Sequence, residues 1–255
     1  MPLVVVCYKW VLDEADIRIN ADLSIDLSKA KGKISDYDKN AIEAAVQAAA
    51  ALNGKVAGLT FGTADAKPSL KDALSRGMDE AWYINEPQAS QADGAGTARV
   101  LAAAIKKMAD VSLIICAEGA SDTYARQTGP RIGALLDLPV VTSVGKLEIS
   151  GNTLIATRVL DDCLQKVKVE LPAVVAVLPE ITSAPIPGLK AVLAAGKKPV
   201  TELKAQDLGV DLTPKSRVTE IKGYMMDRKN IIFNEGETAE RVNNLVAALR
   251  KEGVV

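Results

Sequence analysis

Apolar positions in the first half of the chain fall into short runs separated by helical stripes. Leu3 to Tyr8 is a β-branched run that predicts a central parallel strand, and Val56 to Phe61, Ala81 to Ile84 and Leu113 to Cys116 repeat the signature. Between them Ala41, Ile42, Ala45, Val46, Ala49 and Leu52 recur at helical spacing. Ser35 and Asp36 stand ahead of that stripe as N-caps, and Gly54 ends it. Pro68 to Arg76 predicts a second helix, and Ala92 to Ala109 a third, with Ala98, Leu101, Ala102 and Ile105 facing inward. Ile132, Leu135 and Leu136 share one face of a fourth. Strand and helix alternate four times, which predicts an α/β fold: a parallel sheet flanked by helices on both sides, Rossmann-like in plan.

The remaining pattern is different. Ile17 to Ile19 and Ser24 to Leu27 alternate around a turn at 20–23, predicting an edge hairpin. Val144 to Ile149 and Thr153 to Val159 flank Ser150-Gly151-Asn152, a hairpin signal, and Gln165 to Glu170 adds a third antiparallel strand before Pro172. Ala173 to Leu178 is solidly apolar and predicts a buried strand returning to the main sheet. Residues 182–199 form a proline-rich loop and a short helix, with Ile186 and Leu189 as large apolar groups in an exposed setting. After Val200 the alternation stops, and only Glu237 to Lys251 is patterned, as an amphipathic helix. The expected organisation is an α/β nucleotide-binding domain over residues 1–200 and an extended arm over 201–255. An isolated helix of that length is marginal in water, so the arm is expected to dock on another surface.

Composition narrows the chemistry. Thirty-one basic and 32 acidic residues give a formal net charge of -1, which points away from a polyanion partner. Histidine is absent, which removes a His-based triad, a His general base and His-ligated metals. Cys7, Cys116 and Cys163 are far apart and fit reduced cytoplasmic thiols. No apolar run is long enough to span a membrane, and the N-terminal residues lack the pattern of a secretory signal. Such a chain is expected to borrow its chemistry or only to carry it.

Three strand ends open into small or polar loops: Cys7 to Lys9, Phe61 to Thr63 and Ala117 to Tyr124. In a sheet with right-handed crossovers they share one edge, where ligands of open α/β sheets bind. The third loop leads into a helix, an arrangement that lets backbone N–H groups approach a phosphate. An adenine nucleotide or FAD is the expected guest. The loop is neither GxGxxG nor a P-loop.

Six segments carry a resemblance. They are 7–20 (CYKWVLDEADIRIN), 33–45 (KISDYDKNAIEAA), 75–81 (SRGMDEA), 118–139 (EGASDTYARQTGPRIGALLDLP), 171–177 (LPAVVAV) and 186–200 (IPGLKAVLAAGKKPV), and DLGVD at 207–211 agrees. Together they resemble the β subunit of an electron-transfer flavoprotein, of the Fix-type and carnitine-linked branch. The resemblance implies an obligate heterodimer with an α subunit, which holds most of a redox FAD and is wrapped by the C-terminal arm. The β subunit itself would hold AMP, or a second FAD in bifurcating members that couple NADH oxidation to ferredoxin and enoyl-CoA reduction.

The implied nucleotide contacts are Cys7 and Lys9; Ser35, Asp36, Tyr37 and Asp38; Phe61; Ala117; and Gly119, Ala120, Ser121, Asp122, Thr123, Tyr124, Ala125, Arg126, Gln127 and Thr128. Ile186, Pro187, Gly188 and Leu189 match the loop that inserts into an acyl-CoA dehydrogenase-type redox partner. Tyr124 and Ala125 depart from the bifurcating pattern, whereas Gly129-Pro130 agrees with it. The alternative from another class is a stand-alone adenine-nucleotide-binding module. The long arm and the proline-rich loop argue against it.

Overall fold

The computed structural model describes residues 1–225 and 228–255. In chain order its first elements are β1 (Leu3–Cys7), β2 (Trp10–Leu12), β3 (Arg18–Ile19), β4 (Ile25–Asp26), β5 (Gly32–Ile34) and α1 (Asp36–Ala51). Then follow β6 (Lys55–Gly62), α2 (Pro68–Ser75), β7 (Glu80–Asn85), α3 (Gly94–Ile105), β8 (Val111–Ala117) and α4 (Thr128–Leu136). The remainder is β9 (Val140–Ser150), β10 (Thr153–Val159), β11 (Leu164–Glu170), β12 (Ala173–Val177), α5 (Leu189–Ala195), β13 (Val200–Leu203) and α6 (Thr238–Lys251).

Nine strands form one sheet in the order β11-β10-β9-β12-β8-β1-β6-β7-β13. Seven of them, β9 to β13 in that order, are parallel to their neighbours, and β10 and β11 extend the sheet as antiparallel strands. The middle strands are apolar throughout because both of their faces are covered. All five residues of β1 and of β12 are buried, as are the last five of β8. Burying a side chain such as Ile114 or Ile115 contributes about 1.5–3 kcal/mol relative to exposure.

The helices divide between two faces. Ala41, Ile42, Ala45 and Ala48 of α1, with Leu70 and Ala73 of α2, pack against Val4, Val6, Leu113 and Ile115. Ala98, Leu101 and Ile105 of α3, with Ile132 of α4, pack against Val5, Leu59, Ile114 and Val174. The alanines of α1 let the helix lie close to the sheet. Its C-terminal stop uses Asn53 at φ 50° before Gly54, whose missing Cβ would stand 2.4 Å from the Pro2 carbonyl oxygen.

Three elements differ from the sequence pattern, one of them β13, a strand where the alternation is expected to stop. The strand expected from Val144 begins at Val140 and pairs on both of its edges within the one sheet. Its first residues run parallel to β12 and its later ones antiparallel to β10. Ser143, at φ 57°, breaks the alternation between the two parts, which hides the junction from a periodicity reading. The hairpin expected at a sheet edge is instead a separate ribbon of β3 and β4, while β2 and β5 form another.

The chain divides into two compact units: Met1–Arg18 with Asp26–Ile221, and Ile19–Ile25 with Lys222–Val255. Within the first, β13 pairs with β7, and Ala205 and Leu212 are buried with α3. Within the second, Gly223 N–H donates to the Leu23 carbonyl at 2.8 Å, and α6 buries none of its residues. No helix among the described residues is long and apolar enough to cross a membrane.

Asp93 closes α3 and also holds the chain beyond β13. Its carboxylate accepts from Gly96 N–H at 2.7 Å, Lys215 N–H at 2.8 Å and Ser216 N–H at 3.2 Å. These amides, Gly96 first, hold its pKa down at about 2. Its contribution is therefore complete above the ordinary Asp range near pH 4 and is lost as pH falls through about 2. Asp93→Ala is expected to speed proteolytic cleavage within residues 211–221 several-fold at neutral pH, read by limited proteolysis and mass spectrometry. Cleavage rates equal to those of the unaltered chain would show that the segment is held by other contacts.

Candidate functional site

The site lies where the direction of winding reverses. From β1 the chain moves through α1 to β6 and then β7, and α3 carries it back across to β8 on the other side of β1. The loops leaving β1 and β8 therefore diverge over opposite faces, leaving a crevice at the carboxyl ends of these strands.

Three segments meet there through Lys9. Its carbonyl accepts from Ser35 N–H at 3.0 Å, and its own N–H donates to Asp38 Oδ2 at 2.8 Å. The end of β1 is thus clamped to the first turn of α1. The Lys9 ammonium pairs with the Asp122 carboxylate in the loop after β8. A second stitch joins that loop to α1: Ser121 N–H donates to Ser35 Oγ at 3.2 Å. Ser35 occupies the N-cap position as expected, but it makes no side-chain cap bond, and its buried hydroxyl faces the loop instead. Asp38, also buried, receives the Lys9 amide rather than capping the helix. Burial is the main reason its pKa is pushed up to about 7; the Lys9 amide and ammonium oppose this, and the Asp122 charge adds to it.

The loop itself is folded around Tyr124. Tyr124 and Arg126 have φ of 45° and 56°, left-handed values that the surroundings must hold in place. Tyr124 N–H donates to the Ala120 carbonyl at 2.9 Å, and its hydroxyl donates to Glu118 Oε2 at 2.6 Å. The Tyr124 hydroxyl is harder to ionise as a result, chiefly because of that carboxylate. Arg126 lies over the same ring, with Cζ 4.7 Å from the centroid and Nη1 3.8 Å from Glu118 Oε1. The Tyr37 ring stands 5.3 Å away, tilted by 59°. Gly119 is required here, since a Cβ would lie 2.7 Å from the Tyr124 ring.

Beyond this knot the backbone is open. Among the described residues, the amides of Ala125, Arg126, Gln127, Thr128 and Gly129 donate to no backbone acceptor, and Gln127 makes no side-chain cap bond at the start of α4. Free amides at the N-terminus of a nine-residue helix bind anions through direct hydrogen bonds and the helix dipole. The Ser121 hydroxyl is buried and has no partner, so it too is available to a guest. These features fit the phosphate groups of a nucleotide.

Several residues named from the sequence make other contacts of their own. Asp36 turns to Lys33 and Lys39, at 2.9 and 2.6 Å, and away from the loop. Phe61 ends β6 on the far side of β1 from the β8 loop. Cys7 and Cys116 are register partners on adjacent strands, both buried. Their mutual hydrogen bond, together with burial, pushes the Cys7 thiol well up. Ala117 ends β8 within the sheet, paired with Val177. Glu118, passed over in the sequence, is the hub of the loop, with Ser143 Oγ 3.5 Å from its Oε1. A glutamate just after a strand carries no sequence signal of such a role. Its partners Tyr124 and Ser143 lie 6 and 25 residues away.

The proline-rich loop is held from below by α1. Asn40 donates to the Pro179 carbonyl at 2.8 Å and accepts from Ala184 N–H at 3.2 Å, and Gln47 reaches Thr182 Oγ1 at 3.2 Å. Beyond these ties Ile186 is 94% exposed and Leu189 75%, with Leu193 on the next turn of α5 at 65%.

In comparison with known families, the family described as electron transfer flavoprotein domain aligns with residues 22–208, well over half of the chain.

Tyr124→Phe removes the hydroxyl that satisfies the Glu118 carboxylate. Leaving that group short of a partner is expected to cost about 1–3 kcal/mol. It should also raise amide exchange across 119–126, as measured by urea unfolding and hydrogen exchange. Unchanged exchange in the loop would show that Glu118 does not hold it.

Proposed function

The chain belongs to the electron transfer flavoprotein family, and from that premise we propose that it is the β subunit of the heterodimeric carrier, holding FAD or AMP between β1 and β8. The observation that carries this is the run of free amides from Ala125 to Gly129 at the crevice where the winding reverses. A neutral or apolar ligand has no use for such a row of donors, whereas a phosphate or pyrophosphate satisfies several at once. Lys9 adds a cation that reaches the loop from the β1 side. Tyr37 and Tyr124 offer aromatic surface at the same mouth.

A bound flavin supplies redox chemistry that no side chain here provides, and AMP would serve only to hold the loops together. The protein's part is to bind, to orient and to exclude water. Asp38 and Ser35 fix the Lys9 backbone, Glu118 fixes Tyr124, and the two stitches hold the phosphate loop at a set distance from β1. The absence of histidine agrees with a subunit that transfers no substrate proton.

Ile186 and Leu189 are proposed as the anchor for an acyl-CoA dehydrogenase-type partner. An apolar group on a small, pinned loop suits a transient redox encounter, where one or two buried side chains dominate the binding energy. The exposed apolar residues Val242 and Leu245 of α6 are assigned to the α subunit.

Two measurements test the reading on the chain co-purified with an α subunit. Lys9→Ala is expected to weaken nucleotide retention about tenfold, equivalent to ~1.4 kcal/mol, by equilibrium dialysis. Unaltered retention would place the anion elsewhere. Ile186→Ala or Leu189→Ala is expected to slow electron transfer from the dehydrogenase while the extracted nucleotide content stays constant. Equal transfer rates in both variants would remove the anchor role.

A further inference from the structure

Around the start of α1 the crevice assigned to a nucleotide phosphate holds two carboxylates and one cation, while Arg126 pairs with Glu118 further along the loop. Lys9 contributes one positive charge, Asp38 and Asp122 one negative charge each, and the Lys9 ammonium is engaged by Asp122. Asp38 is only 5% exposed, and among the described residues no cation lies within ion-pair distance of it. Its carboxylate accepts from the Lys9 amide at 2.8 Å and is also hydrogen-bonded by the Ser35 hydroxyl. The groups facing it are Lys9 and Cys7 from β1, Asp122 from the loop and the Ser35 hydroxyl from its own helix. Asp36, two residues earlier, is taken up by Lys33 and Lys39. A buried carboxylate in that position is costly when ionised, and an incoming anion makes it more so.

We propose that Asp38 links anion binding in this crevice to the uptake of one proton, so that the phosphate of a nucleotide is held more tightly when Asp38 is neutral. The inference rests on the nucleotide site proposed above and adds a determinant of its affinity. Asp38 acts as a positioning residue: protonated or not, it keeps the Lys9 backbone in place, but only its neutral form spares the incoming anion a buried negative charge beside it. When phosphate draws the ammonium from Asp122, two carboxylates lose their nearest counter-charge, and the buried one takes the proton. Its resting pKa of about 7 puts the exchange in the range where cells operate.

The sign follows from linkage. A group whose pKa rises on binding takes up protons on binding, and affinity falls as pH climbs from the free towards the bound pKa. A one-unit rise on binding corresponds to a tenfold change in affinity.

The test is calorimetric titration of the full chain with FAD and with AMP from pH 6 to 8.5, in two buffers of different ionisation enthalpy, beside Asp38→Asn. Comparing chain and variant cancels the titration of the nucleotide's own phosphate. The expected result is about tenfold weaker binding at pH 8.5 than at pH 6, beyond any change in the variant. Proton uptake near pH 7 should be seen only with the unaltered chain. Binding that is equally pH-dependent in both proteins, or that takes up no proton, would overturn the proposal while leaving the nucleotide site intact. No binding of either nucleotide at any pH would overturn both together. If Asp38→Asn fails to fold, the proton count with FAD on the unaltered chain decides the matter, because the FAD pyrophosphate, unlike the AMP phosphate, does not titrate between pH 6 and 8.5.

Discussion

A parallel sheet wound in both directions from its middle leaves a gap that no crossover covers. Here the gap lies between β1 and β8, and its walls are drawn from opposite sides of the molecule. The helices α1 and α2 hold one face and α3 and α4 the other, so the loops at the gap have no helix lying across them. What closes the distance between the walls is a small set of polar contacts centred on Lys9, Ser35 and Asp122. The apolar core sets where the loops begin, and these contacts set where they end.

The architecture was legible because burial on both faces writes an unbroken apolar run, and helices covering it write a stripe. Leu3 to Cys7, Val56 to Phe61 and Leu113 to Cys116 carry that imprint, and all became adjacent strands of the sheet. The pattern fails where one strand has two neighbours of opposite sense. β9 pairs parallel along one edge and antiparallel along the other, the two overlapping at Val144 just after a left-handed serine, and local alternation cannot show a partner. β13 was missed for a related reason: a four-residue edge strand with half-exposed positions has no run to recognise.

At the site, residue type named side chains that the fold brings together at Lys9, Ser35 and Asp122, but not the partners they take. Ser35 before an apolar stripe reads as a cap, and it holds the cap position. Yet its hydroxyl serves an amide 86 residues away, which local spacing cannot reveal. Lys9 reads equally well as a surface charge, and only the fold brings Asp122 within reach. Glu118 is the clearest loss. Its role depends on a tyrosine in an unusual backbone conformation and on a serine from another strand, and neither follows from the glutamate itself. The resemblance to the flavoprotein family supplied what periodicity could not, and the family match over residues 22–208 supports it at that level.

Helix α1 has two employers. Its first turn supplies Ser35, Tyr37 and Asp38 to the crevice, and just beyond it Asn40 grips the chain at Pro179 and Ala184, where the proline-rich loop begins. Side chains roughly 5 Å apart along one rigid axis therefore set two features that look independent from the surface. The consequence is an engineering constraint. Anyone who retunes the guest's affinity by shifting the start of α1 also re-aims Ile186. A graft of the exposed loop onto another scaffold must bring its supporting helix along.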